Sequence, residues 1–207
     1  MRTPVSASTT PRNKCSGLTG GIIFILAAGL VANAGTLSGN VKAGTGSSVV
    51  YLESTTQKKA LPPPTQTYKM DQAGMKFVPS MLVVPIGAIV EFLNSDMAAH
   101  NVSWHSVGGD RRLAHNLGTF PKGQKASWKF DHPGAVPIVC STHSEMLATI
   151  IVSPSPYYAQ TDQVLGDYFI QNVPDGQYKV TVWNHGKTSS KQVAVAGNTK
   201  LDLSFAK

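Results

Sequence analysis

The sequence predicts an all-β protein, and three observations support that prediction. Apolar residues recur with period two or in short continuous runs, and outside the N-terminal segment no stretch has the 3.6-residue period of an amphipathic helix. Glycine and proline are frequent, with 19 and 13 residues, and they separate the apolar runs. A hydrophobic content of 42% in 207 residues suffices for a packed core. We therefore expect β-sandwiches, in one domain or two small ones.

The first 34 residues have the organisation of a cleaved signal peptide. Three basic residues precede an apolar run at 17–31, and Ala32-Asn33-Ala34 supplies an A-x-A cleavage site. Because the apolar run is shorter than a membrane-spanning helix, we expect cleavage before Gly35 and no stable membrane insertion. The predicted location is the periplasm.

Strands are expected in three groups along the rest of the chain. The first group has two short strands, at 36–41 and 48–52, and a proline-containing connector follows it. The second group, from about residue 65 to 153, contains an irregular stretch from 113 to 121. Its expected strands are at 75–78, 81–84, 88–93, 100–104, 126–130, 136–140 and 147–152.

The third group of strands follows residues 153–156, Ser-Pro-Ser-Pro, which have the composition of a linker. Its strands are expected at 168–173, 178–183, 192–196 and 200–205. Four strands in about fifty residues would bury only a thin core. We therefore infer that residues 35–60 and 157–207 share one small β-sandwich, and that residues 65–153 form a domain inserted within it.

Cys140 is the only cysteine that remains after the signal, which contains Cys15, is removed. In an exported protein it is a free thiol, an intermolecular bridge or a metal ligand. The residues that follow it favour the third alternative, because His143 and Met146 complete the pattern C-x-x-H-x-x-M.

This pattern predicts copper. A thiolate and a neutral imidazole are strong ligands for a borderline or soft metal, and a thioether is a weak ligand that prefers copper to zinc. Electron-transfer copper is held by two histidines and a cysteine, with a weak axial methionine. Besides Cys140, His143 and Met146 the site needs a second histidine, for which His100 is the best candidate. Zinc is the alternative metal.

Other functions have less support in the sequence. The net charge is +7, but only Asp110-Arg111-Arg112 hints at a basic cluster, so we expect no binding of nucleic acid. His105 and His115 lack paired spacing and are expected to be surface or structural residues. No Ser/His/Asp set or pair of carboxylates indicates an active site, so we do not expect an enzyme.

His100-Asn101 and the loop at 140–146 occur in the order of a known family. On these motifs, residues 65–153 resemble a cupredoxin of the plastocyanin and amicyanin kind, with a loop spacing most similar to amicyanin and to methylamine-utilisation-type cupredoxins. The resemblance implies a Greek-key β-sandwich with one type 1 copper site, whose ligands are the four residues named above. It also implies that Asn101 forms hydrogen bonds near the thiolate. Ser144 departs from it, because amicyanin-like loops often carry proline there.

The flanking segments carry a second resemblance. Asn172-Val173-Pro174-Asp175-Gly176 and Val182-Trp183 are similar to motifs of carboxypeptidase regulatory-like, transthyretin-type β-sandwich modules. This likeness extends over 35–52 and 161–205, so the two resemblances together span nearly all of the chain that follows the signal.

Together the resemblances imply an exported type 1 copper protein that carries single electrons between redox protein partners. Electrons would pass through the exposed edge of His143, and we expect an apolar surface around Pro137 and Leu147 to frame it. The alternative is a cell-envelope module that stores or delivers copper, or binds a partner or glycan, without redox turnover.

Overall fold

The computed structural model describes residues 34–42, 46–56, 62 and 64–205 of the chain. These residues contain seventeen β-strands and a single 3₁₀ turn at Arg111–Leu113, which confirms the all-β fold class. Apart from Ala34, where the first strand begins, the predicted signal peptide with Cys15 lies outside the described residues. In the described part of the chain, no helix has the length and apolar content needed to cross a membrane.

The strands are distributed along the whole described chain. In order they are β1 (Ala34–Lys42), β2 (Val49–Ser54), β3 (Thr67–Gln72), β4 (Phe77–Val78), β5 (Met81–Pro85), β6 (Ala88–Asn94), β7 (His100–Trp104), β8 (His115–Phe120), β9 (Lys125–Phe130), β10 (Gly134–Val139), β11 (Leu147–Ser153), β12 (Tyr158–Gln160), β13 (Asp167–Pro174), β14 (Gly176–Asn184), β15 (Lys187–Val195), β16 (Asn198–Lys200) and β17 (Leu203–Ser204).

Strands β3 to β11 form a central sandwich of two sheets. One sheet has the order β4-β3-β6-β9, and the other has the order β5-β11-β10-β7-β8. Alternate residues of each strand point inward, so that Val90 and Phe92 of β6 share a core with Ile150 of β11. Strands β7 and β10 are antiparallel neighbours, with Val139 opposite Ser103. This pairing brings the start of β7 to the end at which the chain leaves β10.

Strands from both ends of the chain form a second, flanking sandwich. β1 pairs antiparallel with β13 and parallel with β16 and β17, and β2 lies between β12 and β14. Its core includes Leu37, Leu52, Ile170 and Val180. A Cβ atom on Gly39 of β1 would lie 1.9 Å from the carbonyl oxygen of Leu201, so only glycine allows these segments to approach.

The two sandwiches are in contact through sheet faces. Val49 and Ile151 are both buried, with 0% and 1% exposure, but neither belongs to the two cores. Their neighbours Val50 and Ile150 point into those cores. Because successive residues of a strand point to opposite faces, Val49 and Ile151 lie on the faces of β2 and β11 that are turned away from the cores. The strands β2 and β11 are in contact with each other. The phenol oxygens of Tyr68 and Tyr158, one in each sandwich, lie 3.4 Å apart.

Residues 153–156 do not form the free linker that their composition predicts. Ser153 and Ser155 are buried, and the Ser155 hydroxyl donates a hydrogen bond to the carbonyl oxygen of Leu52 in β2. The Ser153 hydroxyl donates to the Ser155 carbonyl at 2.7 Å, and the Leu52 N–H donates to Tyr157 at 3.0 Å. The two serines supply hydrogen bonds that the neighbouring prolines cannot donate, and they attach the end of β11 to the flanking sandwich.

Strands β3 and β12 were not expected, and two further details differ from the sequence prediction. The stretch expected to be irregular contains β8, an edge strand that pairs with β7. The single strand expected at 200–205 is divided into β16 and β17, which both pair with β1. Leu201 and Leu203 are nevertheless buried, as their alternation indicates.

Candidate metal centre

Three donor side chains meet at one end of the central sandwich. His100 begins β7, Cys140 directly follows β10, and His143 lies in the loop that leads to β11. Their ligand atoms are all within 4.8 Å of one another. The Nδ1 atoms of His100 and His143 are 3.0 Å apart, and Cys140 Sγ is 3.7 Å from His143 Nδ1. The antiparallel pairing of β7 with β10 creates this convergence from residues about forty positions apart.

Main-chain hydrogen bonds close the loop between β10 and β11. The N–H of Cys140 donates to the carbonyl oxygen of Met146 at 3.2 Å, and the N–H of Met146 donates to the carbonyl oxygen of His143 at 3.0 Å. Met146 has 0% exposure and packs in the same core as Cys140. Its role as a weak axial ligand stays a prediction.

A carboxylate contacts the Nε2 atom of the buried His100 ring, the nitrogen that is not directed at His143. Asp96 Oδ2 lies 2.9 Å from His100 Nε2, and the two Asp96 oxygens also accept hydrogen bonds from the N–H groups of Gly74 and Met75, at 2.7 and 2.9 Å. The Met75 N–H is the main cause that lowers the pKa of Asp96 below its usual value, so this carboxylate stays charged. A proton on Nε2 then faces Asp96, which leaves the lone pair of Nδ1 directed at the site.

The environment of Cys140 favours its thiolate. Burial is the largest single influence and opposes the charge, but several donors together outweigh it. The Thr142 hydroxyl lies 3.0 Å from Sγ, and the N–H of Asn101 donates to Sγ at 3.4 Å. These contacts, with the N–H of Thr142 and the His143 ring, lower the pKa of Cys140 to about 6. The thiolate is the form that binds a metal.

Asn101 connects the two ligand-bearing segments. Its Oδ1 accepts a hydrogen bond from the N–H of Ser141 at 3.3 Å, and its Nδ2 donates to Asn116 Oδ1 at 2.8 Å. Asn101-Val102-Ser103 has the pattern of an N-glycosylation sequon, but all three residues are buried in the folded chain. The Asn101 side chain therefore fixes the segment that starts at Cys140 against β7.

The surface around the site is partly apolar, but not as the sequence predicted. His143 is half-buried, whereas His100 is fully buried. Leu147 is 61% exposed beside the ligand loop, and Met97, next to Asp96, is 84% exposed. Pro137 instead lies on β10 in a cleft that faces Trp183 of the flanking sandwich. Because β10 runs away from the metal end, a residue three positions before Cys140 does not reach the rim.

The donor set fits copper. The Nδ1 atoms of His100 and His143 are 3.0 Å apart, so the lone pairs of both nitrogens can be directed at one point. A metal ion would accept both lone pairs and the thiolate at once. Two nitrogens and one soft sulfur form the strong ligand set of electron-transfer copper sites.

Sequence reasoning missed two residues at this site, Asp96 and Thr142. The only signal for Asp96 was an acidic residue four positions before a ligand histidine, in a segment with no regular structure. The remaining histidine candidates are elsewhere: His105 is exposed, and the ring centroid of His115 lies 3.8 Å from that of Trp128.

Comparison with known proteins supports this description of the central domain. The family described as copper binding proteins of the plastocyanin/azurin family matches residues 64–153. A comparison with curated proteins gives no match.

Solved structures of amicyanin variants are also similar to the chain. A reduced Cu(I) form at pH 4 is 25% identical, covers 42% of this chain and 82% of its own, and has a TM-score of 0.39. The reduced form of a second variant is 24% identical, with coverages of 44% and 85% and a TM-score of 0.40. The Cu(I) form of a third is 26% identical, with coverages of 42% and 82% and a TM-score of 0.39.

The family match and the donor geometry agree on the same part of the chain. His100, Cys140 and His143 all lie within the matched residues, and they are the metal-binding group found among the described residues. Residues 64–153 therefore form a cupredoxin domain of the plastocyanin/azurin family, with a copper-binding site at one end.

Proposed function

We propose that this protein is an exported, periplasmic type 1 copper protein that carries single electrons between redox protein partners. The convergence of His100 Nδ1, His143 Nδ1 and Cys140 Sγ at one end of a rigid sandwich is the observation that carries the proposal. Bound copper would supply the one-electron couple between Cu(I) and Cu(II). Met146 is the proposed weak axial ligand.

The surrounding residues suit this task because they fix the donors before any metal binds. Asp96 holds the ring of His100, and the Asn101 side chain holds the segment that follows Cys140. Donors fixed in this way keep nearly the same positions in both oxidation states, which reduces the rearrangement that accompanies a single-electron transfer.

The route for electrons is proposed to be the half-buried edge of His143. The exposed side chains of Leu147, four residues after His143, and of Met97, next to Asp96, offer apolar surface to a partner. Apolar contact without strong charge pairing suits a brief encounter, which a carrier needs in order to release its partner.

The domain arrangement is also a proposal. Residues 1–34 would be a cleaved signal, residues 65–153 the cupredoxin domain, and residues 35–60 with 157–207 a carboxypeptidase regulatory-like sandwich that contains the insertion. The pairing of β1 with β13 and of β2 with β14 supports a shared flanking sandwich.

The spectrum of the copper-loaded protein tests the proposed function. Purified protein with Cu(II) should turn blue through thiolate-to-copper charge transfer and show the narrow hyperfine splitting of type 1 copper. Cys140→Ser should abolish both signals, while Ser144→Ala, an exposed change in the same loop, should retain them. A colourless complex, or a spectrum that survives Cys140→Ser, would contradict the assignment.

Voltammetry separates electron transfer from storage or delivery of copper. A reversible one-electron wave, with copper retained through repeated cycles, is the outcome expected of a carrier. Release of copper on each oxidation would favour the delivery function instead.

A further inference from the structure

Two clefts lie between the cupredoxin domain and the flanking sandwich, and we propose that together they bind a neutral saccharide. The first cleft has a volume of about 670 Å³ and reaches Leu147 beside the metal centre. The second has a volume of about 800 Å³ and runs along Pro137 of β10. Both volumes are in the range of small-molecule sites, which often occur at domain interfaces.

The two clefts form one groove around an aromatic side chain. Thr149, Trp183 and His185 line both of them. Trp183 is half-buried and lies between Val49 and Thr188 in neighbouring strands of its sheet. A partly exposed indole offers a flat apolar surface and a polar N–H. The apolar C–H face of a pyranose ring packs well on such a surface.

The lining of the groove selects an uncharged ligand. Among the described residues, no lysine, arginine, aspartate or glutamate lines either cleft, although the chain has 18 basic and 11 acidic residues. Hydroxyl and amide groups are present instead, from Ser80, Thr188, Gln160 and Gln163. These groups donate and accept hydrogen bonds, as sugar hydroxyls do, whereas a charged ligand would lack a counter-charge.

One buried hydroxyl in the first cleft lacks a partner. Ser47 lines this cleft and is 6% exposed, and its Oγ has no hydrogen-bond partner among the described residues. Buried hydroxyls in native proteins normally have one. A rotation of this hydroxyl toward the cleft breaks no hydrogen bond, and a sugar hydroxyl there would supply the missing partner.

His185 stands where the clefts meet, in a conformation that side chains rarely adopt. It forms the two-residue turn between β14 and β15 with Gly186, and their φ angles are 45° and 82°. Such type I′ turns favour asparagine or glycine at the first position. Residues held in sparsely populated conformations are concentrated at functional sites, and this one brings a ring with a donor and an acceptor to the groove.

A glycan array probed with the full-length folded chain tests the proposal, followed by calorimetry with the neutral oligosaccharide that binds best. We expect binding to at least one neutral glycan. Trp183→Ala and His185→Asn should each weaken it at least tenfold, and asparagine suits the turn, so the second variant keeps the fold. Trp128→Phe, a change at another half-buried tryptophan, should bind as the unaltered chain does.

Three outcomes would overturn the proposal. The first is that no neutral glycan on the array binds. The second is unchanged affinity in both Trp183→Ala and His185→Asn. The third is that an uncharged proline-rich peptide binds the groove and no saccharide competes with it, which would make this surface a peptide site.

Discussion

At the scale of single residues, the ligand types follow from the sequence and their orientation does not. Cys140, His143 and Met146 were predicted because a thiol, an imidazole and a thioether at this spacing favour a metal site, and copper over zinc. Asp96 was not predicted, because its contact with His100 depends on a turn whose geometry no local pattern encodes. Residues that orient ligands generally come from such irregular segments.

The contact between Asp96 and His100 leads to the first prediction. Asp96→Asn replaces a charged acceptor with a neutral amide, which holds the Nε2 proton less firmly and leaves Nδ1 a weaker ligand. We expect copper affinity to fall by about 10- to 100-fold, as for other partners of metal-binding histidines. Competition with a chelator of known affinity measures it.

Glu145→Gln is the matched control, because it removes one exposed negative charge from the ligand loop itself. It should leave copper affinity within about twofold of the original value, since exposed charges are largely screened. Equal losses in the two variants would show that net charge, and not orientation of His100, is responsible.

The second prediction concerns the Asn101 side chain. Asn101→Ala removes the hydrogen bonds to Ser141 and Asn116 but keeps the backbone N–H that contacts Cys140 Sγ. The copper-free protein should lose about 1–3 kcal/mol of unfolding free energy, because a buried side chain and its two partly buried hydrogen bonds are removed. Urea denaturation measures the loss. Ser144→Ala, an exposed change in the ligand loop, should cost less, and a larger effect there would contradict this account.

At the scale of elements, strands with a clear alternation of apolar residues were predictable, and strands with few buried apolar side chains were not. Trp128 and Phe130 of β9 lie two residues apart in an alternating pattern that reports the buried face of a strand. The edge strand β8 has one buried residue, Phe120, and contains Gly118, so little in its composition separates it from a loop.

The connection from β11 to β12 gives the third prediction. Ser155→Ala leaves the carbonyl oxygen of Leu52 and the N–H of Tyr157 without the hydroxyl that they share. Because both groups are at least partly buried, we expect the unfolding free energy to fall by about 1–3 kcal/mol. Denaturation in urea checks this value.

Limited proteolysis of the same variant tests whether the connection is fixed in place. Proteinase K should spare residues 153–156 in the original protein and cut there faster in Ser155→Ala. The exposed Ser204→Ala should behave as the original protein does. Rapid cleavage of the original chain near Pro154 would show that the connection is a free linker after all.

At the scale of the whole molecule, the two sandwiches are joined by buried side chains. Val49 and Ile151 are buried on the faces of β2 and β11 that are turned away from the two cores. From the sequence each could be placed in a strand, but a residue in a continuous apolar run is not assigned to a face by periodicity. The contact, and the clefts beside it, became visible only with the strand order.

Ile151→Ala gives the fourth prediction. Removing this side chain opens a cavity between the sandwiches, and we expect a loss of about 2–5 kcal/mol of unfolding free energy. Because the cores remain intact, thermal unfolding of the variant should separate into two transitions in calorimetry. Ile89→Ala, at a position 44% exposed, is the control. A single transition with no loss would mean that the sandwiches do not stabilise each other.

The pairing of β1 with β13 has a consequence for the order of folding. Asn40 donates a hydrogen bond to Asp167, which follows 127 residues later, so β1 has no partner until most of the chain has been synthesised. Such non-local pairs form slowly, because a long loop must close first. A folded cupredoxin domain brings the strands before and after it together, as the pairing of β2 with β12 illustrates. The copper domain should therefore fold first, and the rate at which the flanking sandwich forms should follow the stability of the domain within it.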